Sequence, residues 1–328
     1  MNEQQTMLAD TASALFADLS HQATIADWSQ IEEMGFAGLL LDEAAGGFGG
    51  SFEDAGIVFR LAGYNAVALP VVEAILAARL AADAGFAADG LGSIAEAANG
   101  SIDGGAFTGA LRGIPWGRSA DYVAAPAPDG GTMVLRTSGA RVEQRENLAG
   151  EPRDVLHFAD APIQRADADL FALGASARAA QIAGACDAVL AMAVGYVNER
   201  KQFGKPLGKL QAVQQALAVF ACEAAAANCA AVGVAQALDR GDARFEVAAA
   251  KARANMAAGV GTSIGHQAHG AIGFTLEYGL HPLTRRLWSW RSEFGGEQYW
   301  MDTLGRQVVA GGADDFWGGM AGRTDPPA

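Results

Sequence analysis

Positive charge is scarce in this chain. Among its 328 residues, 23 Lys and Arg face 37 Asp and Glu, a formal net charge of −14. Nucleic acid as the main partner needs clustered cations to meet phosphates, so that class is set aside. Cysteine is scarcer still. Cys186, Cys222 and Cys229 all fall in alanine-rich stretches, and no C-x-x-C pair or His/Cys ligand spacing occurs. That excludes a disulfide framework and gives no metal site, so the cysteines are expected to be small buried residues in a reducing compartment. No uncharged apolar run reaches about eighteen residues, which argues against a membrane span. The opening "MNEQQTMLADTASALFADL" has neither the charged n-region nor the apolar core of a signal peptide, so a cytoplasmic protein is expected.

What is there suits a folded chain, since 51% of residues are hydrophobic and 18% charged. Residues 1–97 read as helices, with apolar residues three and four apart in "EQQTMLADTASALFADL", "FEDAGIVFRLAGYNA" and "LPVVEAILAARLAADAG". The glycine-rich "LLLDEAAGGFGGS" reads as a turn between helices, because it lacks the preceding strand and the G-x-G-x-x-G spacing of a dinucleotide site. Residues 98–165 change texture. Turn signals recur there, and "DYVAAPA", "GTMVLR", "ARVEQ" and "VLHFAD" lean to strand, so a small antiparallel β domain is predicted.

Helix returns over 166–312 as three long alanine-dense segments and a shorter one from about Tyr299 to Ala310, predicting a four-helix bundle. Residues 313–328 read as a tail, disordered at "RTDPPA" and with Asp314 and Asp315 facing solvent. The fold class is α+β, mostly α.

Two stretches carry chemistry. "ERKQFGKPLGKLQAVQ" gathers Arg200, Lys201, Lys205 and Lys209 where Gly204, Pro206 and Gly208 interrupt two helices. Free N–H groups at the start of the second helix, beside those cations, suit an anion such as a pyrophosphate. In "GHQAHGAIGFTLEYG", Gln267 stands beside Gly270 and Gly273, which let a ligand approach the backbone. His266 and His269 share this helix end, but no third metal ligand accompanies them. Trp288, Trp290 and Trp300 in "RRLWSWRSEFGGEQYW" are expected at a subunit contact.

These two stretches, with the α-β-α order, resemble the acyl-CoA dehydrogenase family. Arg200-Lys201-Gln202-Phe203-Gly204 followed by Gln211 is similar to the family's R-x-x-F-G turn and the Gln of its next helix. Gln267 to Phe274 is similar to its Q-x-x-G-G/A-x-G-F element, and "LDEAAGGFGGSFED" to its P-E-x-x-G-G-x-G turn. The resemblance implies that Arg200, Gln202, Phe203, Gln211, Gln267, Gly270 and Ala271 contact FAD. They would grip the adenosine-pyrophosphate part of a flavin held mainly by a neighbouring subunit. It implies an acyl-CoA substrate as well.

Other family features are missing. No T-E-P-x-x-G-S-D loop occurs between 98 and 165, and Gly113-Ile114-Pro115-Trp116 replaces the W-x-T strand end. The chemistry needs a carboxylate to take the substrate's α proton. Where many members carry it, this chain has Phe294, with Glu293 one residue early; where others carry it, this chain has Gly174. Glu293 is the one candidate base, with a structural ion pair to Arg291, Arg285 or Arg286 as its alternative role. The pattern predicts the smaller subunit of a heteromeric α2β2 dehydrogenase, of the kind that acts on steroid side-chain thioesters, with the base supplied by the partner. A self-sufficient homo-oligomer using Glu293, and a flavin-free helical protein, are the alternatives.

Overall fold

The computed structural model describes residues 1–323 apart from Leu276 and Asp315, so residues 324–328 of the predicted disordered tail, and Asp315, lie outside the described residues. The first layer holds α1 (Glu3–Leu19), α2 (Trp28–Glu33), α3 (Phe52–Tyr64) and α4 (Val71–Asp83). Asn2 with Gln5, and Ser51 with Asp54, form capping boxes that satisfy the first N–H groups of α1 and α3. Asp239, from a later helix, accepts from the backbone N–H of Phe52 and Glu53 and ties α3 to the far part of the chain. The glycine-rich segment is a connecting loop. A Cβ at Gly47 would lie 2.3 Å from the Leu41 carbonyl oxygen, so only glycine lets that loop close.

The middle of the chain forms β1 (Gly92–Ile94), β2 (Ala97–Asp103), β3 (Ala106–Pro115), β4 (Tyr122–Pro126), β5 (Thr132–Arg136), β6 (Arg141–Glu143), β7 (Arg153–Pro162) and β8 (Gln164–Ala166). Two four-stranded sheets result, β1-β4-β5-β8 and β2-β3-β7-β6. All their pairings are antiparallel except β1 with β4. Phe107, Leu111, Ile114, Met133, Leu156 and Phe158 belong to a separate hydrophobic core there. The sheets begin earlier than the sequence suggested, since β1 lies in the stretch read as helical. Strands β2 and β3 were masked by glycines that resemble turn signals. Gly100 and Gly109 are paired across the two strands, where a Cβ on either would strike the opposite backbone within 2.3 Å.

The last layer is helical: α5 (Leu170–Glu199), α6 (Gln211–Arg240), α7 (Arg244–His269), α8 (Leu280–Trp290), α9 (Glu297–Gly311) and α10 (Phe316–Gly322). A short hairpin of β9 (Lys201–Gln202) and β10 (Lys205–Pro206) joins α5 to α6. Part of the expected tail is therefore the helix α10, and Asp314 is exposed. Small residues set the spacing between helices. A Cβ at Gly184 would meet the Arg60 carbonyl oxygen at 1.9 Å, and one at Gly261 would meet the Phe220 ring at 2.3 Å.

Both α5 and α6 are long and apolar enough to cross a membrane by length and composition, against the sequence expectation. Most of the apolar window of α5 is core, but only 28% of that of α6 is buried. The open face of α6 presents Ala218, Cys222, Ala225, Cys229 and Val232. Cys186 is buried as expected, whereas Cys222 and Cys229 are exposed.

Candidate functional site

Helix α5 stops because Arg200 leaves helical geometry, with ψ at 119°. Phe203 and Gly204 then both take left-handed φ, 52° and 75°, as a two-residue hairpin turn requires. The Leu207 N–H returns to the Arg200 carbonyl at 2.9 Å and closes the loop. Helix α6 starts at Gln211 with no side-chain cap on its first N–H groups. The end of α7 lies beside the end of α5, because the His269 ring stacks on Tyr196 at 4.8 Å between centroids. Gly270, at φ 63°, turns the chain there into a 3-10 segment ending at Phe274.

The seven residues expected to hold a dinucleotide therefore sit at one end of the bundle. Arg200, Gln202, Phe203, Gln211, Gln267, Gly270 and Ala271 are all exposed. Among the described residues, the side chains of Arg200, Gln202, Gln211 and Gln267 form no hydrogen bond within the chain. Uncommitted donors, free helix N–H groups and Lys205 and Lys209 together fit a pyrophosphate. The two histidines have other roles. His266 bonds the Thr284 hydroxyl at 3.0 Å, and buried His269 bonds the Gly265 carbonyl at 2.7 Å.

Glu293 lies far from that end and is buried. Its Oε1 accepts from Arg153 Nε at 2.8 Å and Asn147 Nδ2 at 3.2 Å. Its Oε2 accepts from Arg178 Nε at 2.8 Å and Arg153 Nη2 at 3.2 Å. Burial alone would raise its pKa, but the Arg153 and Arg178 guanidiniums beside it bring the carboxyl down to about 2. A carboxylate held this way is a weak proton acceptor, so the alternative of a structural ion pair describes Glu293. The partners differ from those expected: Arg291 pairs with Glu297, Arg286 with Glu151, and Arg285 donates to the Leu148 carbonyl.

The network runs on to Glu73, whose Oε1 takes Arg178 Nη2 at 2.6 Å, and to Glu151, whose Oε2 takes Arg153 Nη2 at 3.0 Å. It thus joins α4, α5, β7 and the loop after α8. Sequence reasoning passed over Glu73, Arg153, Arg178 and Lys251. Their signal was available in three cases: a charge inside an apolar helical run, as in "VVEAIL", "ASARAAQ" and "VAAAKA".

The positions where the base was sought are in contact with each other. Phe294, buried and at φ 52°, lays its ring over Gly174, where a Cβ would lie 2.5 Å from the ring. Phe171 packs edge-on against the same ring at 5.9 Å. The loop around it is fastened from several sides. The Phe294 N–H donates to Glu96 Oε1 at 3.0 Å, and Trp300 Nε1 donates to the Phe294 carbonyl at 2.8 Å. Lys251 Nζ donates to the Trp290 and Gly295 carbonyls at 2.9 and 3.1 Å. Burial pushes that lysine down to about 7.

Trp116, which stands where a ring-facing residue was expected, is buried, with the Arg153 guanidinium 5.7 Å over it. Trp290 and Trp300 are likewise core residues, so of the three tryptophans expected at a subunit contact only Trp288 is exposed.

Comparison with known proteins agrees with this architecture. Residues 166–309 match the family model for the acyl-CoA dehydrogenase C-terminal domain. FadE34 of Mycobacterium tuberculosis, described as an acyl-CoA dehydrogenase, is 29% identical over 300 residues; the match takes in 85% of this chain but only 41% of FadE34. Among solved structures, a Tcur3481-Tcur3483 steroid ACAD superposes with a TM-score of 0.86 at 23% identity, covering 94% of this chain and 98% of that one. The ChsE4-ChsE5 complex from Mycobacterium tuberculosis gives 0.84 at 19% identity, covering 95% and 99%. The C-terminal part of the chain is thus similar to the acyl-CoA dehydrogenase C-terminal domain, and the chain as a whole shares its fold with solved acyl-CoA dehydrogenases.

Proposed function

We propose that this chain is the smaller subunit of a heteromeric acyl-CoA dehydrogenase that desaturates a CoA thioester between its α and β carbons. In that assembly it contributes the adenosine-pyrophosphate half of an FAD site, and the partner contributes the catalytic base. The observation that carries this is the pairing of Phe294 with Gly174: the positions of the expected base are filled by a packed aromatic ring. The opposite end, around Arg200 and Gln267, keeps its donors free.

Arg200, Gln211 and Gln267 would bind the pyrophosphate and its sugar edges, with Gly270 and Ala271 allowing close backbone approach. Bound flavin supplies the hydride acceptor of the family's chemistry. Proton removal falls to a partner carboxylate, since Glu293 is held between Arg153 and Arg178.

A partner is further supported by the uncovered apolar face of α6, which starts beside the half-site at Gln211 and carries residues at alternating three- and four-residue spacing from Ala218 to Val232. Neighbouring solved structures include a complex of two named proteins and a steroid ACAD, which supports a partner subunit and a steroid-type acyl group; a heterotetramer is the assembly proposed. A cytoplasmic location follows from the same reading.

The test is expression alone against co-expression with a dehydrogenase-like chain that carries the T-E-P-x-x-G-S-D loop. The expected result is a colourless chain alone and a yellow complex. Flavin near one per chain in the protein made alone would overturn the heteromer, and no flavin even with the partner would favour a structural role. Unchanged FAD retention in a complex carrying Arg200→Ala with Gln267→Ala would contradict the half-site.

A further inference from the structure

Lys251 is a buried cation that touches no carboxylate. It is shielded from solvent inside α7, and its Nζ meets only neutral oxygens. Asn255 Oδ1 and the Trp290 carbonyl lie at 2.9 Å, and the carbonyls of Gly295 and Arg291 at 3.1 and 3.2 Å. The charged groups that face it are committed elsewhere. Glu293 is shared by Arg153 and Arg178, Arg291 pairs with Glu297, and Glu96 accepts the Phe294 N–H. An ammonium in such a place gives up its hydration without gaining an ion pair.

Three of the four acceptors belong to the end of α8 and to the loop of residues 291–296 behind it. That loop is strained, since Phe294 is a bulky side chain at φ 52°. Gly295 follows at φ 93°, where a Cβ would lie 2.5 Å from Trp300 Nε1. Opening of this loop is the movement that would return water to Lys251, and it would also lift Phe294 from Gly174.

We infer that the loop of residues 291–296 is a proton-linked latch, closed over Lys251 as a neutral amine and opening as that amine takes up a proton. A neutral amine still donates to two of the four oxygens, and those of Asn255 and Trp290 are nearest. Burial, helped by Arg178 and Arg291 and opposed by Glu293 and Glu96, pushes Lys251 down to about 7. Below about 7 the open and closed forms both carry the proton, so pH has no hold on the loop. Between about 7 and the ordinary 10.5 only the open form carries it, so raising the pH favours closure. Glu96 acts the other way, because burial and then Glu293 raise its carboxyl and make it favour closure in acid.

The chain has four lysines, and Lys201, Lys205 and Lys209 are exposed, so carbon-13 NMR of labelled lysine Cε in the full-length protein isolates Lys251. Hydrogen exchange of the 291–296 amides, corrected for intrinsic rates, follows the loop in the wild type, Lys251→Met and Glu96→Gln. The expected result is one lysine titrating near 7 and loop protection that rises about fifty-fold between about pH 7 and 9. Lys251→Met should be flat over that range, and Glu96→Gln should keep the rise. Four lysines that titrate together would overturn the latch. A separate Lys251 titration with loop protection that ignores pH would sever the proton from the loop. A rise that survives in Lys251→Met would move the proton to another group and overturn the assignment. Should Lys251→Met fail to fold, the lysine spectrum and the wild-type exchange profile still decide the first two outcomes.

Discussion

The two ends of α5 follow opposite rules. Near its start, Gly174 lies against the Phe294 ring, and Glu293, Arg153 and Arg178 are buried and paired with one another. Past its end, about 40 Å away along the helix, Arg200, Gln211 and Gln267 are exposed and uncommitted. Both ends are rich in charge and glycine, so composition does not distinguish them. What differs is whether each charge has a partner inside the chain. Paired and buried charge holds domains together, whereas free charge at a surface can hold something else.

Breaking the sealed end should have the largest effect. Glu293→Ala leaves Arg153 and Arg178 facing each other without their shared carboxylate and should lower stability by about 3–5 kcal/mol, measured by urea denaturation. A variant of unchanged stability with lost activity in the complex would instead return Glu293 to the role of base. Phe294→Ala, which empties the plug, should cost a similar amount, about 3–5 kcal/mol. Gly174→Ala forces a methyl group against the same ring and should cost about 1–3 kcal/mol in a thermal or chemical melt.

The sealed end also sets an acid limit. The Glu293 carboxyl is held at about 2 against an ordinary 4.5, so its contribution is complete above 4.5 and is lost as pH falls toward 2. Glu293→Gln should flatten the stability profile across that window, and an unchanged slope in acid unfolding would show that other carboxylates set it. The smallest stability effect belongs to the open end. Arg200→Ala should shift stability by less than about 0.5 kcal/mol while sharply reducing FAD retention in the complex. A large loss of stability there would remove the contrast between the ends.

Much of this was legible from residue pattern. The helices of both helical layers, the later strands and the turn at Phe203-Gly204 follow from periodicity and punctuation. The residues proposed for the half-site came from a resemblance to family motifs, beside a run of cations at a helix break that composition alone makes visible. Strands β1, β2 and β3 were not, since a glycine admitting close backbone approach looks the same in sequence as a glycine in a turn. Nor was the exposure of Cys222 and Cys229, because an alanine-dense helix has no polar face to show which side is left open.

The sequence by itself determined the order of helical and β regions, and it singled out the residues at the open end as a motif, because short-range spacing encodes both. Only the tertiary structure decided the fate of Glu293 and of Phe294. Glu293 is joined to Arg153 and Arg178, which lie 140 and 115 residues away along the chain. Phe294 meets Gly174 only when α5 and the loop after α8 pack together. Whether a carboxylate can take a proton depends on which charges and how much water surround it, and folding brings those neighbours from distant parts of the chain.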